Sequence, residues 1–146
     1  MIVEIDASNV ASQIEQRFPS AVEDVTSNTI VIKGNMLLSV AHFLKDTPSL
    51  DFSFLNTLVG TDYLDYIEVV YFLESITHQH KIYLKVRIFD REHPIIPSVV
   101  SLWKSADYQE REIFDLLGVT FKDHPNMKRI VMWQGFEGHP LRRDFL

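Results

Sequence analysis

Charged side chains that could do acid–base or metal chemistry are concentrated in one short part of the chain. They are Asp107, Glu110, Arg111, Glu112 and Asp115, followed by Asp123, His124 and Arg129. Two carboxylates and an imidazole can bind a divalent ion, so Glu112, Asp115 and His124 could form the centre of a metal-dependent enzyme. No His-x-x-x-His or Asp-x-Asp spacing is present, and Arg111 and Asp115 stand at the i, i+4 spacing of a surface ion pair. We therefore favour a structural cluster and keep the metal site as the alternative.

Other chemical signals in the sequence are weaker. His78 and His80 could bind zinc from one face of a strand, but no third ligand is close in sequence, which favours two solvated histidines. There is no Gly-x-Ser-x-Gly nucleophile motif. The glycines at positions 34, 60, 118, 135 and 138 form neither a dinucleotide-binding fingerprint nor a P-loop. The sequence therefore predicts that this chain binds no NAD, flavin or other cofactor by itself.

Composition excludes several further classes of protein. The 146 residues include no cysteine, so thiolate-bound zinc, cysteine-ligated Fe–S clusters, disulfides and a cysteine nucleophile are excluded together. A net charge of -6 argues against nucleic-acid binding, which needs clustered cations. No apolar run reaches the roughly 18 to 20 residues of a membrane helix, and the first residues resemble neither a signal nor a transit peptide. We expect a cytoplasmic chain whose partners are proteins.

Periodicity in the first half of the chain predicts two helices and a hairpin. Apolar residues at helical spacing predict a helix over 7–18, with Ser8 or Asn9 as its N-cap. The Ser27-Asn28 pair between apolar runs predicts a short hairpin. A second helix is predicted by apolar residues at i, i+3, i+4 and i+7, which are Leu37, Val40, Ala41 and Leu44.

The second half begins with two strands and continues with helical segments. The β-branched and aromatic run within 68–75 predicts a central strand, and strict alternation over 81–90 predicts a second strand paired with it in a hairpin. Helical spacing of Val99, Leu102, Trp103 and Ala106 predicts a helix after Pro97. Asp107 and Glu110 resemble a capping box that restarts a helix, which then ends at Gly118.

These segments predict one α+β domain in which a mixed or antiparallel sheet packs with helices. We assign residues 1–121 to this α+β body and residues 122–146 to an extended irregular tail. The tail shows no period yet contains large apolar residues, which are rare in disordered segments. It must therefore be ordered by packing on a surface, either of this domain or of a partner. The large apolar residues are Ile130, Val131, Met132, Trp133, Phe136, Leu141 and Phe145.

Two motifs in the last part of the chain resemble a known family. The segment 110–130, EREIFDLLGVTFKDHPNMKRI, resembles the signature of the 30-kDa subunit family of respiratory complex I, and 138–145, GHPLRRDF, resembles the second conserved stretch of that family. The residues at the motif positions are Glu110, Arg111, Glu112, Asp115, Gly118, Phe121, His124, Pro125, Arg129, Gly138, His139, Pro140, Arg142, Arg143 and Asp144.

The resemblance implies a role for the chain and for these motif residues. It implies a non-catalytic structural subunit that docks on a 49-kDa-like subunit of the peripheral arm of an NADH:quinone oxidoreductase. NADH, FMN, Fe–S clusters and quinone would be bound elsewhere in the complex, and the membrane would be contacted only through other subunits, on its cytoplasmic side. The motif residues would form the subunit interface. Related subunits of membrane-bound [NiFe] hydrogenases and F420H2 dehydrogenases are the alternative.

Overall fold

A computed structural model describes residues 1–133 and 135–145, so residues 134 and 146 of the predicted tail lie outside the described residues. The main sheet has six strands, which are β1 (Val3–Glu4), β2 (Val22–Val25), β3 (Thr29–Ile32), β4 (Phe54–Asp62), β5 (Ile67–Ser75) and β6 (His80–Ile88). Their order is β2-β3-β6-β5-β4, with β1 pairing with β6. The pairs β1–β6 and β3–β6 are parallel and the others are antiparallel. The predicted α+β class with a mixed sheet is confirmed.

Alternation along β6 places one row of side chains in the core, as the sequence predicts. Ile82, Leu84, Val86 and Ile88 are buried, and they stand beside Leu73, Tyr71, Val69 and Ile67 of β5. Cross-strand neighbours of this kind share one face of the sheet, so the two strands present one continuous apolar surface. The predicted hairpins between β5 and β6 and between β2 and β3 are both confirmed.

Within the part of the chain that the structure describes, three α-helices accompany the sheet. Helix α1 spans Ala7–Arg17, α2 spans Leu37–Asp46 after a short 3-10 helix at Gly34–Met36, and α3 spans Ala106–Leu117. The N-cap of α1 is Asp6, whose carboxylate accepts the N–H of Ser8, so the predicted capping by Ser8 or Asn9 is wrong. Helix α3 ends as predicted at Gly118, whose positive φ of 81° suits glycine. No helix within residues 1–133 and 135–145 is long and apolar enough to cross a membrane.

The helix predicted through Val99, Leu102, Trp103 and Ala106 is wrong before Ala106, because the chain forms turns there and α3 begins only at Ala106. The backbone N–H groups of Leu102 and Trp103 both donate to the carbonyl of Val99. Trp103 is buried and its indole N–H donates to the carbonyl of Phe52 at 3.1 Å. The apolar spacing therefore reflects a turn folded onto the core rather than a helical face.

Strand β4 is a strand that the sequence patterns did not predict, and it lies at the edge of the sheet next to α3. The side chain of Gln109 on α3 accepts the Leu58 N–H at 2.9 Å, and the Ser105 hydroxyl donates to the Leu55 carbonyl at 3.0 Å. Gly60 brings strand and helix together, since a Cβ there would lie 2.6 Å from a methyl carbon of Leu117. Side chains of α3 thus satisfy outward-facing backbone groups that an edge strand normally exposes.

A second, two-stranded parallel sheet connects the body to the start of the tail. It pairs β7 (Ile95–Pro97) with β8 (Thr120–Lys122). Strand β8 crosses the boundary that we drew between residues 121 and 122, and Phe121 within it is buried. That division of the chain stays a prediction.

Candidate functional site

A buried aspartate on α3 holds the tail against the body. Asp115 is fully buried and pairs with the guanidinium of Arg129. Its second oxygen accepts three backbone N–H groups at 3.0, 2.6 and 2.7 Å, from Ile130, Val131 and Met132 respectively. Burial raises the pKa of Asp115, but these hydrogen bonds outweigh burial and hold the pKa below its ordinary value. The carboxylate is therefore ionised at neutral pH and fully occupied by the tail.

Two arginines, Arg129 and Arg111, complete the contact between α3 and the tail. Their partners differ from those in the predicted surface ion pair. Arg129 also donates to the carbonyl of Gly138 at 2.8 Å and to that of Asp115 at 2.9 Å, and its guanidinium lies over the ring of Phe136. Arg111 donates to the backbone carbonyls of residues 128 and 129, at 3.0 and 3.3 Å. The predicted pairing of Arg111 with Asp115 is therefore wrong, because Arg129 occupies that carboxylate.

A second carboxylate, Asp62 at the end of β4, holds the last part of the tail. Asp62 pairs with Arg91 through both carboxylate oxygens. Its Oδ2 also lies 3.6 Å from the guanidinium of Arg142 and accepts the backbone N–H of Arg143 at 2.8 Å. The hydrogen bond from Arg91 is the largest influence that holds the Asp62 pKa well below its ordinary value, against the effect of burial. Asp144 pairs with Arg91 and Arg142 at 3.4 Å. Sequence reasoning missed Asp62 and Arg91, which are far apart in the chain and match no motif.

A third buried carboxylate, Glu110, joins α3 to the turn that precedes it. Glu110 accepts the hydroxyl of Ser98 at 2.6 Å and the backbone N–H of Val99 at 2.9 Å. Burial raises its pKa to about 7, while these two hydrogen bonds lower it and the charge of Asp107 raises it. The predicted capping box is wrong, because Asp107 lies within the first turn of α3 and Glu110 bonds backward in sequence to Ser98 and Val99.

His124 lies beside Glu110, and its hydrogen bonds define its tautomer. Its Nδ1 accepts the backbone N–H of Asn126 at 2.9 Å, so the ring proton is on Nε2, which donates to the carbonyl of Asp107 at 3.1 Å. Nε2 is 4.0 Å from the nearer oxygen of Glu110. The same Nε2 lies 3.1 Å from Oδ1 of Asp107, so the ring of His124 stands between two carboxylates of α3.

The predicted alternative of a metal centre does not fit these positions. Within residues 1–133 and 135–145, no three His, Asp or Glu side chains are close enough together to hold a metal ion. Asp115 is saturated by hydrogen bonds from the tail, and Glu112 is exposed. The structure therefore does not bring Glu112, Asp115 and His124 together as ligands. The Nε2–H groups of His78 and His80 instead donate to the carbonyls of Pro48 and Leu50, which fixes the 48–50 loop.

The remaining motif residues shape the path of the tail. The ring of His139 contacts the Asp115 carbonyl at 2.8 Å and lies against Gly118, where a Cβ would meet it at 2.8 Å. Next to Pro140, the N–H of Leu141 donates to the carbonyl of Leu116 at 2.8 Å. Arg142 donates to the Leu117 carbonyl at 3.2 Å. The two motifs thus meet around the C-terminal half of α3, while Pro125 lies exposed in the turn after His124.

Although the tail is held in place, several of its large apolar side chains stay exposed. Trp133 is 67 % exposed, Leu141 58 % and Val131 56 %. Ile130 and Phe145 are also among the exposed apolar residues. We call these five residues the tail patch. The body orders the backbone of the tail but does not cover this patch.

These observations define a class of protein, an α+β domain whose C-terminal segment is locked onto one helix by arginine–carboxylate pairs. A model of the family described as "Respiratory-chain NADH dehydrogenase, 30 Kd subunit" matches residues 30–146. The chain is 40 % identical to a subunit of the NADH-quinone oxidoreductase of Roseiflexus sp. (strain RS-1), over 96 % of this chain and 84 % of that relative. It is 39 % identical to the equivalent subunit of Cupriavidus metallidurans, over 89 % and 70 % of the two chains.

The chain therefore belongs to the 30-kDa subunit family of respiratory-chain NADH dehydrogenases, which confirms the resemblance of its two motifs. A solved chain from the membrane-bound sulfane sulfur reductase, an archaeal respiratory membrane complex, has a similar fold. The TM-score is 0.75 at 21 % identity, over 94 % of this chain and 84 % of that one.

Proposed function

We propose that this chain is a non-catalytic structural subunit in the peripheral arm of an NADH:quinone oxidoreductase, and that it docks on a 49-kDa-like subunit through the tail patch. Membership of the 30-kDa family supports the assignment to this complex, because the relatives are named as subunits of an NADH-quinone oxidoreductase. NADH, FMN, Fe–S clusters and quinone are bound by neighbouring subunits. These also make the membrane contact, which is on the cytoplasmic side.

The observation that carries this proposal is the contrast between the tail's ordered backbone and its exposed side chains. Asp115 and Asp62 fix the tail at several points, so little conformational entropy remains to be lost when a partner binds. Trp133 and Leu141 are then presented to solvent on a rigid support. Aromatic side chains are frequent anchors of interfaces, where a few residues carry most of the binding energy. The tail patch thus has the composition and rigidity of a docking surface.

Substitution at the tail patch tests the proposed interface. We expect Trp133→Ala to reduce co-purification of the 49-kDa-like subunit, because truncating a central aromatic anchor costs about 2 kcal/mol or more in binding. The matched control is Phe89→Ala, since Phe89 is similarly exposed at 63 % and lies just past the end of β6. Loss of the partner with Phe89→Ala but not with Trp133→Ala would place the interface on the sheet face with Tyr83, Lys85 and Arg87.

The fold similarity to the sulfane sulfur reductase chain supports a second candidate, the equivalent subunit of a related membrane-bound complex. Hydrogenase and F420H2 dehydrogenase complexes belong to this alternative. Both candidates share the structural role and differ in the neighbouring subunits. Mass spectrometry of the complex purified in mild detergent distinguishes them. Flavin and NADH-oxidising subunits favour the NADH:quinone oxidoreductase, and a [NiFe] subunit favours the alternative.

A further inference from the structure

Within residues 1–133 and 135–145, two charged motif residues have side chains without a hydrogen bond or ion pair, Glu112 and Arg143, and of these Glu112 lies on α3 beside a groove. Glu110, Asp115, Arg111 and Arg129 each hydrogen-bond to other parts of the chain. Glu112 lies among them on α3, is exposed, and makes no hydrogen bond or ion pair with residues 1–133 or 135–145. The other charged side chains of α3 named above bind within the chain, whereas the Glu112 carboxylate is free to bind a partner.

Glu112 lies at the side of a groove between β4 and α3. The groove has a volume of about 280 Å³ and is lined by Gly60, by the apolar residues Ile113 and Leu116, and by Leu141 from the tail. This volume is below the roughly 300 to 1,000 Å³ of most small-molecule sites. It therefore suits a single inserted side chain better than a metabolite.

The edge of β4 adds backbone groups to the groove. The N–H of Leu58 points away from β5, because it donates to the side chain of Gln109. In an antiparallel pair the outward direction recurs at every second residue, so the N–H and carbonyl of Gly60, which lines the groove, also point away from β5. The groove thus combines apolar walls with a backbone carbonyl and the Glu112 carboxylate. These are acceptors for a cation on an aliphatic stem.

We propose that this groove receives a lysine or arginine side chain of the partner subunit, whose charged end pairs with Glu112. The inference rests on the proposed function, because Leu141 belongs both to the groove and to the tail patch. The stem of the basic side chain packs on Leu116 and Leu141, in the way that long cationic side chains cover apolar surface while their charge meets an acceptor. Charge complementarity selects this occupant over an acidic or purely apolar side chain, which would leave Glu112 desolvated without a partner.

Neutralising Glu112 in the full chain tests the groove. We expect Glu112→Gln to weaken retention of the 49-kDa-like subunit by roughly 30-fold or more, because the partner's cation would be buried without its counter-charge. Thermal unfolding of the isolated chain should not change, since Glu112 makes no bond within the described residues. Glu23→Gln is the matched control, because Glu23 is an exposed glutamate on β2, away from the groove.

A carbodiimide, which couples a carboxylate directly to an amine, identifies the occupant. A cross-link from Glu112 to the partner supports lysine, and weakened retention without a cross-link supports arginine. If Glu112→Gln and Glu23→Gln retain the partner equally while Trp133→Ala loses it, the proposed interface stands and the groove inference is wrong. If Trp133→Ala also retains the partner, the proposed docking surface itself is wrong.

Discussion

Three of the buried carboxylates in the described chain, Asp62, Glu110 and Asp115, hold the tail and the turn before α3, and their surroundings favour different protonation states. Asp62 and Asp115 face guanidinium groups and backbone N–H donors, which lower their pKa values. Among the described residues, Glu110 faces the hydroxyl of Ser98, the Val99 N–H, the ring of His124 and the negative charge of Asp107, with the buried Tyr71 phenol nearby. Two of the carboxylates therefore favour the charged form, whereas burial makes the third favour the protonated form.

This difference predicts how stability depends on pH. Folded Glu110 has a pKa of about 7 against an ordinary value of 4.5, so the folded chain keeps a proton that the unfolded chain releases. This contribution, about 3 kcal/mol, is complete below pH 4.5 and is lost as the pH rises through 7. The lowered pKa values of Asp62 and Asp115 act oppositely, and their contribution is lost as the pH falls below about 4. We expect greatest stability between about pH 4 and 5.

Glu110→Gln checks the origin of this profile. The variant should lose most of the decline in unfolding free energy between pH 5 and pH 8, measured by urea denaturation at each pH. Glu112→Gln, the same change at an exposed position of the same helix, should keep the wild-type profile. An unchanged decline in Glu110→Gln would assign the titration to another group.

The pairing of Arg129 with Asp115 predicts a large effect of a single truncation. We expect Arg129→Ala to lower the unfolding free energy by about 3 to 5 kcal/mol, because it leaves a buried carboxylate without its counter-charge. It should also lower assembly of the complex. Arg17→Ala, at an exposed arginine near the end of α1, should cost less than about 1 kcal/mol. Normal stability and assembly with loss of quinone turnover alone would instead indicate a direct catalytic role for Arg129.

At the scale of elements, the sequence predicts a strand or helix well where one face alone is buried. Strands β5 and β6 and helices α1 and α2 follow this rule, so their patterns are clear. Strand β4 was missed because Asn56, Thr57 and Gly60 dilute its apolar alternation. These residues are compatible with a strand because of α3, whose side chains hydrogen-bond Thr57 and pack on Gly60. The sequence around Trp103 has the apolar spacing of a helix although it forms a turn, because several of the turn's residues face the core.

The contact between β4 and α3 predicts that Gly60 cannot be enlarged without cost. Gly60→Ala should destabilise the chain by about 1 to 3 kcal/mol, since the added methyl group would overlap Leu117 and crowd Ile113. Leu117→Ala should itself cost about 2 to 5 kcal/mol through the cavity it leaves. The double variant should be more stable than the sum of the two effects predicts, because each change relieves the other. Strict additivity in chemical denaturation would show that α3 moves away from β4 instead.

At the scale of the whole molecule, the two motifs contain residues that hold the tail, while Asp62 and Arg91, which the second motif contacts, lie outside both motifs. Arg129 of the first motif pairs with Asp115 of the same motif. Arg142 instead approaches Asp62 at the end of β4, a contact across most of the chain. Such pairings depend on how β4, α3 and the tail are brought together, which no local pattern in the sequence encodes.

Truncation separates folding of the body from docking of the tail. We expect a chain ending at Arg129 to unfold cooperatively, with a lowered melting temperature because Asp115 loses the three N–H donors of 130–132. It should no longer enter the complex, since the whole tail patch is removed. Calorimetry and co-purification measure the two properties separately. Loss of cooperative unfolding would show that the tail completes the core of the domain.

The two tryptophans give this chain a pair of optical reporters. Trp103 is 4 % exposed and Trp133 is 67 % exposed, so their indole rings emit from apolar and aqueous surroundings respectively. Trp133→Phe should leave a blue-shifted emission that shifts to the red only when the chain unfolds. Trp103→Phe should leave a red-shifted emission that moves to the blue when a partner covers the tail. One protein can thus report its folding and its incorporation into a larger assembly at two separate wavelengths, without any added dye.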